Sequence, residues 1–346
     1  MAGVHTLLPR RDRKPLAGLL LAAALVAAGL HWAGRMASEE VFDTASYLQF
    51  PLVPLEAGLV SIRTYGYPLF VQAVLNLTGS KSAVPWAQYA VHVLCVLCWY
   101  CGARPWFPRP RPAAIAAAGL LVTNTLLRNV FILSSDGLAS SFAIAAMGML
   151  MAVVARPRST GRWAVLTILI FATYQIRPAY LFLVVLCPVL GIGLLVLREW
   201  LDADRDAPQQ KPGRWRMGGY LAGIALAPLL AFCLFRWALV GDFGLVSFSG
   251  YNFCGVVGQF LDRSTVACLP AEIQPVAVES LRRRAALAAE NPAFHDEVVT
   301  SYITIENRFD LSTWTVFYPA ASTVARGDPV RTNQLLVRLG TSIVRC

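Results

Sequence analysis

The feature that most constrains this chain is a series of long runs without a charged residue. The first run, residues 15–34, is about as long as a helix that crosses the hydrocarbon core of a bilayer. Six more follow along the chain: 82–103, 113–127, 137–155, 163–176, 178–197 and 217–235. Only 14% of the 346 residues are charged, against roughly 25% in soluble domains. We therefore predict an all-α polytopic membrane protein with about seven transmembrane helices.

Two apolar segments need a separate interpretation. A cleaved signal peptide is the alternative for run 15–34, which follows a basic segment. The run is long for the apolar region of a signal peptide, however, and further spans follow it, so we favour a transmembrane helix. Residues 68–78 are too few to span a bilayer, and we expect them to form a helix that lies at the membrane interface.

Charges in the connections predict the orientation. Basic residues are in excess in the N-terminal segment and in three connections: 104–111, 156–162 and 198–216. The alternate connections are the acid-bearing loop 35–82 and the short turns 134–136 and 175–178. An excess of lysine and arginine marks cytoplasmic connections, and this accounts for the net charge of +10 without nucleic acid as a partner. We predict a multi-pass protein of the cell inner (plasma) membrane with a cytoplasmic N-terminus.

Three regions follow from this topology. Residues 1–14 form a cytoplasmic tail, residues 15–240 form the transmembrane module, and residues 241–346 form a small extracytoplasmic segment with nine basic and ten acidic residues. Within that segment we expect a helix over 272–290 and a re-entrant or surface piece over 245–261. The chain stops at Arg345-Cys346 without a closing signal, which indicates either a natural short form or a truncated gene product.

The eight cysteines carry two expectations. His92, Cys95, Cys98 and Cys101 recur every third residue, but on an α-helix this spacing spreads the side chains around the axis. We interpret the three cysteines as small packing residues of a membrane helix. Cys254 lies in the extracytoplasmic segment with Cys268, and a disulfide between those two is one alternative there. No set of side chains calls for a metal or another cofactor.

Ionisable residues gather at one predicted level of the bilayer. Six map to the outer boundary: Asp43, Arg63, Arg128, Asp136, Arg177 and Arg236. Charges close to the hydrocarbon are costly, so they mark functional sites or paired structural contacts. The alternative for each arginine alone is a side chain that reaches out to the lipid headgroups. Six charges at one level favour a site.

Four short motifs carry a resemblance to a known family. They are an aspartate soon after the first span (Asp43), the order Arg-Thr-Tyr-Gly-Tyr-Pro-Leu-Phe over 63–70, Ser-Ser-Asp-Gly-Leu over 134–138, and Ile-Arg-Pro over 176–178. Together they resemble motifs of the bacterial membrane glycosyltransferases of the GT-C superfamily, which are related to protein mannosyltransferases and aminoarabinose transferases. The sequence departs from that pattern with Thr64 in place of proline and Asp136 in place of glutamate. Spans that follow the seventh in the family are missing.

The resemblance covers about residues 15–240 and implies a function. It implies a transmembrane module of seven helices with a long first outer loop. It also implies transfer of a sugar from a polyprenyl-phosphate donor to a hydroxyl of a glycan, lipid or protein acceptor at the extracytoplasmic membrane face. Phosphate is a good leaving group, so such a reaction needs a base for the acceptor and cations for the phosphate.

The charged residues of the outer level fit these roles. We expect Asp43 to be the general base and Arg63, Arg128 or Arg177 to hold the phosphate, because guanidinium binds phosphate through two parallel hydrogen bonds. Single displacement would invert the anomeric carbon. We expect Tyr67 and Asp136 to bind substrate as well. These substrates and the surrounding membrane lipid are the partners that the sequence indicates.

A non-catalytic polytopic protein is the competing interpretation. It would be a lipid or glycan transporter, or a degenerate partner of a transferase. A transporter typically has repeated halves and broken helices that meet at mid-membrane. No internal repeat is visible in this sequence, and its polar residues map to one face, which favours the enzyme.

Overall fold

The computed structural model describes residues 10–201, 213–290 and 302–346. Those residues form seventeen α-helices joined by short turns, and their only β-type pairing is an isolated parallel bridge between Glu39 and Ile132. The first eleven helices are α1 (Arg10–Trp32), α2 (Thr44–Leu48), α3 (Leu55–Leu59), α4 (Gly66–Thr78), α5 (Ala83–Ala103), α6 (Pro110–Val122), α7 (Asn124–Phe131), α8 (Ser135–Ala155), α9 (Thr160–Ile176), α10 (Leu183–Leu201) and α11 (Arg214–Val240). The remaining six are α12 (Ser249–Val257), α13 (Arg263–Cys268), α14 (Gln274–Glu290), α15 (Tyr302–Leu311), α16 (Tyr318–Val324) and α17 (Pro329–Arg345).

Five helices of the described part are long and apolar enough to cross a bilayer. They cover Asp12–Trp32, Ala83–Trp106, Ser135–Ala155, Pro178–Leu201 and Arg214–Val240. Each corresponds to one of the predicted runs, so the all-α, membrane-embedded class is confirmed. The other two runs form shorter helices. The run 113–127 is divided between α6 and α7 because Thr123 adopts an extended backbone, and the run 163–176 lies in α9, which has 17 residues.

Two compact units divide the described chain. Unit 1 contains residues up to Leu52 and Thr64–Phe235, whereas unit 2 contains Val53–Arg63 and Arg236–Cys346. The loop 35–82 is called the first outer loop after the side predicted for it. The division into units differs from the sequence-based ranges 15–240 and 241–346, because Val53–Arg63 of this loop and the last turn of α11 belong to unit 2. Residues 241–346 are therefore one part of a unit built from two distant segments.

The centre of unit 1 is a close crossing of α5 and α8. Gly102 and Gly148 lie where the two backbones meet. A Cβ atom at Gly102 would overlap the carbonyl of Gly148, and one at Gly148 would overlap the backbone of Trp99. Small residues allow this approach because packing between membrane helices depends on close van der Waals contact. The crossing therefore requires glycine at both positions.

We expect Gly102→Ala to destabilise unit 1 by about 1–3 kcal/mol, since the obstacle is backbone and the helices must separate to admit a methyl group. The measurement is thermal unfolding of the purified protein in detergent, followed by tryptophan fluorescence. Gly119→Ala on α6 is the matched control, because nothing lies within 4 Å of a Cβ at that position. Equal transition temperatures for the two variants would contradict the crossing.

One end of unit 1 collects the predicted basic connections. Arg104 follows α5 and pairs with the buried carboxylate of Asp12 at the start of α1, with 2.7 Å between Nε and Oδ1. Arg198 on α10 donates to the last carbonyls of α8, those of Val154 (2.9 Å) and Ala155. Arginine at the C-terminus of a helix satisfies carbonyl groups that have no partner within the helix. These basic residues therefore join helix ends.

Unit 2 has its own apolar core, formed chiefly by α12, α14, α16 and α17. Buried residues of these helices include Tyr251, Val276, Ala321 and Leu336, and Ile62 from the first outer loop packs against them. The helix expected over 272–290 is confirmed as α14. The piece 245–261 forms α12 and a short 3-10 turn, and one face of α12 lies in this core.

The predicted disulfide between Cys254 and Cys268 is wrong. Cys268, at the end of α13, is bonded to Cys346 after α17, with 6.0 Å between the two Cα atoms. Cys254 is a free thiol that is buried in the core of unit 2, where burial raises its pKa. A buried thiol of this kind acts as a small apolar packing group and is chemically inert.

Arg236 holds the two segments of unit 2 together. It lies in the last turn of α11 and is fully buried. Its guanidinium donates to the carbonyl of Leu59 (2.7 Å), to the carboxylate of Asp242 (2.8 Å), to the carbonyl of Gly244 (3.2 Å) and to the hydroxyl of Ser247. Arg236 therefore has a structural role that explains its position just after the last uncharged run, near the C-terminal end of α11.

Candidate functional site

The start of the first outer loop is fixed to the turn between α7 and α8. The amide of Glu39 donates to the carbonyl of Phe131 (3.1 Å), and the amide of Leu133 donates to the carbonyl of Glu39 (2.9 Å). The hydroxyl of Thr44, at the first position of α2, donates to the carbonyl of Leu133 (3.0 Å) and accepts from the amide of Val41. These bonds hold α2 against the N-terminal end of α8.

An ion pair lies at this end of α8. Arg177, which directly follows α9, contacts Asp136 in the first turn of α8, with 2.9 Å between Nη1 and Oδ2. The same guanidinium atom is 3.2 Å from the hydroxyl of Ser135, which is 3.0 Å from the phenol oxygen of Tyr47 on α2. About a third of each charged side chain is exposed. We call Tyr47, Tyr67, Ser135, Asp136 and Arg177 the Asp136–Arg177 cluster.

Two glycines bring the elements of the cluster together. A Cβ at Gly66, the first residue of α4, would lie 2.6 Å from the carbonyl of Gln175, so α4 begins directly against the end of α9. A Cβ at Gly137 would lie 2.5 Å from the carbonyl oxygen of Asn129, which sets the approach of α7 to α8. Larger side chains would move either helix away from the ion pair.

Tyr67 is the buried member of the cluster. Its ring stands edge-on to the ring of Tyr47, with 4.8 Å between centroids. Burial raises the pKa of the Tyr67 phenol, and Tyr47 and Asp136 raise it further. The phenol is therefore neutral and able to donate. Its oxygen is buried without a hydrogen-bond partner among the described residues, as is the side-chain amide nitrogen of Gln175.

The six predicted site residues lie in four places. Tyr67, Asp136 and Arg177 lie in the cluster. Asp43 is in the same unit, at the residue before α2, and is partly exposed. Arg128 lies on α7 with an exposed side chain. Arg63 belongs to unit 2 and is partly exposed.

No site role was predicted from the sequence for four polar residues of this region. Tyr47 and Ser135 bridge α2 to Arg177, and Ser140 pairs with the phenol of Tyr180 at 2.7 Å between oxygens. The spacing of Ser135, Asp136 and Ser140 over about 1.4 turns of α8 is the only signal that the sequence offers for them. Tyrosine and serine are too common in membrane helices for that spacing alone to have selected them.

The described residues contain no group of three or more His, Cys, Asp or Glu side chains that could hold a metal ion. His92 contacts the hydroxyl of Ser141 at 3.0 Å and Cys98 contacts the carbonyl of Ala145. Both contacts join α5 to α8. The positions of Cys95, which is buried, and Cys98, which is half-buried, agree with the interpretation as packing groups, whereas Cys101 is exposed.

The Asp136–Arg177 cluster combines a partly exposed guanidinium, a carboxylate, the first turn of a long helix and a neutral phenol. Arginine, phenol and the N-terminal amides of a helix all bind oxyanions, so this arrangement has the donors for a phosphate group. The first outer loop brings a second carboxylate, that of Asp43, into the same unit. No protein-family model, no curated protein and no solved structure matches this chain.

Proposed function

We propose that the protein is a membrane glycosyltransferase that resembles the GT-C superfamily. It moves a sugar from a polyprenyl-phosphate donor to a hydroxyl acceptor at the extracytoplasmic membrane face. One observation carries this proposal: the first outer loop is hydrogen-bonded to the turn before α8 and to Ser135, and the first turn of α8 carries the ion pair of Asp136 with Arg177. Phosphate-binding donors and the carboxylates of Asp43 and Asp136 thereby lie within one unit of an apolar, multi-helix protein.

Seven crossings are part of the proposal. The N-terminal end of α8 is bonded to the first outer loop, and Arg177 joins the C-terminal end of α9 to that same end. Helices α6 and α7 together have a length of about 31 Å and α9 about 25 Å, which are close to the thickness of a hydrocarbon core. These contacts and lengths support two further membrane crossings. One is made by α6 and α7 together, and the other is made by α9.

The orientation gives a direct prediction. If the basic end of unit 1 is cytoplasmic, a membrane-impermeant thiol reagent applied to sealed cells will label a cysteine placed at Ser61 and will not label one placed at Ser159. Labelling after the cells are opened is the control for reactivity at both positions. Labelling at Ser159 in sealed cells would reverse the topology and remove the site from the outer face.

The residues take separate roles in the proposed reaction. Asp43 accepts the proton of the acceptor hydroxyl as its oxygen attacks the anomeric carbon, and the bond from that carbon to the phosphate oxygen breaks. The leaving phosphate keeps the electron pair and is held by Arg177, with Arg63 and Arg128 as further candidates. Tyr67 donates to the phosphate, and Asp136 positions Arg177 until the donor binds.

The test of the proposal is donor-dependent stabilisation. Purified protein is heated with each of a panel of polyprenyl-phosphate sugars, and a specific donor should raise the transition temperature by mass action. The same polyprenyl phosphate without sugar and a sugar phosphate without lipid serve as controls. A panel in which no donor stabilises the protein or supports transfer would contradict the proposal.

One observation favours the second candidate, a non-catalytic transporter or transferase partner. Arg177 is already neutralised by Asp136, and such a pair is also suited to a purely structural contact between α8 and α9. The two candidates differ in the variant Arg177→Ala. A phosphate clamp would weaken donor binding on this change, whereas a structural pair would lower stability without a change in the affinity for polyprenyl phosphate.

A further inference from the structure

The turn between α8 and α9 carries three arginines within seven residues: Arg156, Arg158 and Arg162. We call these three residues the arginine turn. Arg156 and Arg158 are exposed, and Arg162 is half-buried. In the described part of the chain their side chains make no ion pair and no hydrogen bond. Three positive charges are thus concentrated where no described residue neutralises them.

The described acidic residues at this end of unit 1 already have other partners. Asp12 pairs with Arg104, and Glu199 near the end of α10 pairs with Arg214, with 2.6 Å between Nη2 and Oε2. Three aspartates lie in the segment 202–212, outside the described residues, yet the connection 198–216 as a whole keeps an excess of basic residues. The charge balance of this end therefore favours an anionic ligand from outside the chain.

Two tryptophans lie beside the arginine turn, where α8 ends. The indole of Trp163, in the first turn of α9, donates to the carbonyl of Pro157 at 2.8 Å. The indole of Trp106 donates to the carbonyl of Met151 at 3.0 Å. The candidate span formed by α8 ends at Ala155. Tryptophan is enriched where a membrane meets water, because its ring is apolar and its N–H is polar. The arginine turn therefore lies at a boundary of the apolar part of unit 1.

An apolar stripe continues from the arginine turn along α9. Gly161, Val165 and Ile168 recur at spacings of four and three residues, which places them on one face of the helix. Val165 and Ile168 are 41% and 63% accessible, and nothing lies within 4 Å of a Cβ at Gly161. No charged residue follows Arg162 in α9. The exposed surface therefore changes from cationic to apolar within about 9 Å along the helix axis, since each residue adds about 1.5 Å.

We propose that the arginine turn binds the headgroup of an anionic phospholipid, phosphatidylglycerol, with one acyl chain along Val165 and Ile168. Guanidinium groups bind phosphate through paired hydrogen bonds, and basic pockets between membrane helices bind anionic headgroups. A soluble anion or an acidic protein segment would match the arginines but would leave the apolar stripe uncovered. This binding surface goes beyond the proposed transferase activity and does not depend on it.

Native mass spectrometry of the full chain in detergent tests the proposal. The protein is titrated with phosphatidylglycerol and, separately, with phosphatidylcholine of the same acyl chains. The first phosphatidylglycerol is expected to bind about 10–30-fold more tightly than the first phosphatidylcholine, because each arginine close to an anionic headgroup contributes about fivefold. The variant Arg156→Gln/Arg158→Gln should lose this preference. The variant Arg156→Lys/Arg158→Lys keeps both charges and should retain most of it.

Arg263→Gln/Arg331→Gln is the charge-matched control, because it removes two exposed arginines of unit 2. It should leave the preference unchanged. Equal affinities for the two lipids, or an undiminished preference in Arg156→Gln/Arg158→Gln, would overturn the proposal. An equal loss in the control would assign the preference to net charge alone and would overturn it as well.

Glycerol 3-phosphate separates a lipid from a soluble anion, because it has the phosphate of the headgroup without acyl chains. It should not displace phosphatidylglycerol from the protein at the same concentration. Displacement at that concentration would show that the apolar stripe contributes nothing, and the assignment of the site to a lipid would then be wrong.

Discussion

Asp43→Asn is expected to lower sugar transfer by about 10²–10⁴-fold while donor binding is unchanged, because the amide keeps the shape of the side chain and cannot accept the proton of the acceptor. Transfer is measured with the donor that stabilises the protein, and binding is measured with the same donor in the absence of acceptor. The separation of these two readouts distinguishes loss of a base from loss of the fold.

Glu40→Gln is the matched control for Asp43→Asn. Glu40 lies in the same loop and makes an exposed ion pair with Lys81 at 2.7 Å, so its loss should leave transfer unchanged. The competing role for Asp43 is to cap α2, but its side chain makes no cap hydrogen bond to that helix. Asparagine would serve as well in a cap. Full activity of Asp43→Asn would therefore end the assignment of Asp43 as the base.

Arg236→Met is expected to destabilise unit 2 by about 3–5 kcal/mol, because removal of one partner leaves the other charge of a buried pair without compensation. Asp242, the acidic partner, is itself largely buried. The methionine would also leave the carbonyls of Leu59 and Gly244 without the donor they have now. Both effects act on the contact between the two segments of the unit.

The buried thiol of Cys254 reports this loss directly. It becomes reactive only when the core of unit 2 opens, so its rate of modification over a denaturant series in detergent measures the stability of that unit. Arg338→Met is the control, since Arg338 pairs with Glu272 on the surface and both side chains are mostly exposed. A surface pair of this kind contributes little. Identical modification curves for the two variants would contradict the structural role of Arg236.

The sequence was sufficient for features that depend on local composition. Long uncharged runs predicted the helices because a bilayer leaves few other ways to satisfy the backbone. Gly102 and Gly148 lie in two of these runs, but nothing in either run indicates that they face each other. The charges in the connections predicted that Asp136 and Arg177 lie at the same depth of the bilayer. In the structure these two residues are in contact. Their partners Tyr47 and Ser135 were not predicted, because polar residues of common types carry no signal of contact.

Long-range pairing explains the predictions that were wrong or incomplete. Cys254 and Cys268 are close in sequence and share a segment, yet Cys254 lies on the inner face of α12, and Cys346 is brought to Cys268 by α17. The assignment of Val53–Arg63 to unit 2 depends on contacts with residues more than a hundred positions away. No periodicity or composition along the chain encodes such contacts.

The separation of 177 residues between Leu59 and Arg236 has a consequence for biosynthesis. A ribosome that adds about 5–20 residues per second needs about 10–35 s to make the intervening chain. During that interval the first outer loop has left the ribosome without the arginine that later binds it, and its apolar residues such as Ile62 have no core to join. Unit 2 is therefore complete only after α12 to α17 have also been made, and premature termination before residue 236 would leave the apolar residues of Val53–Arg63 without a core to join.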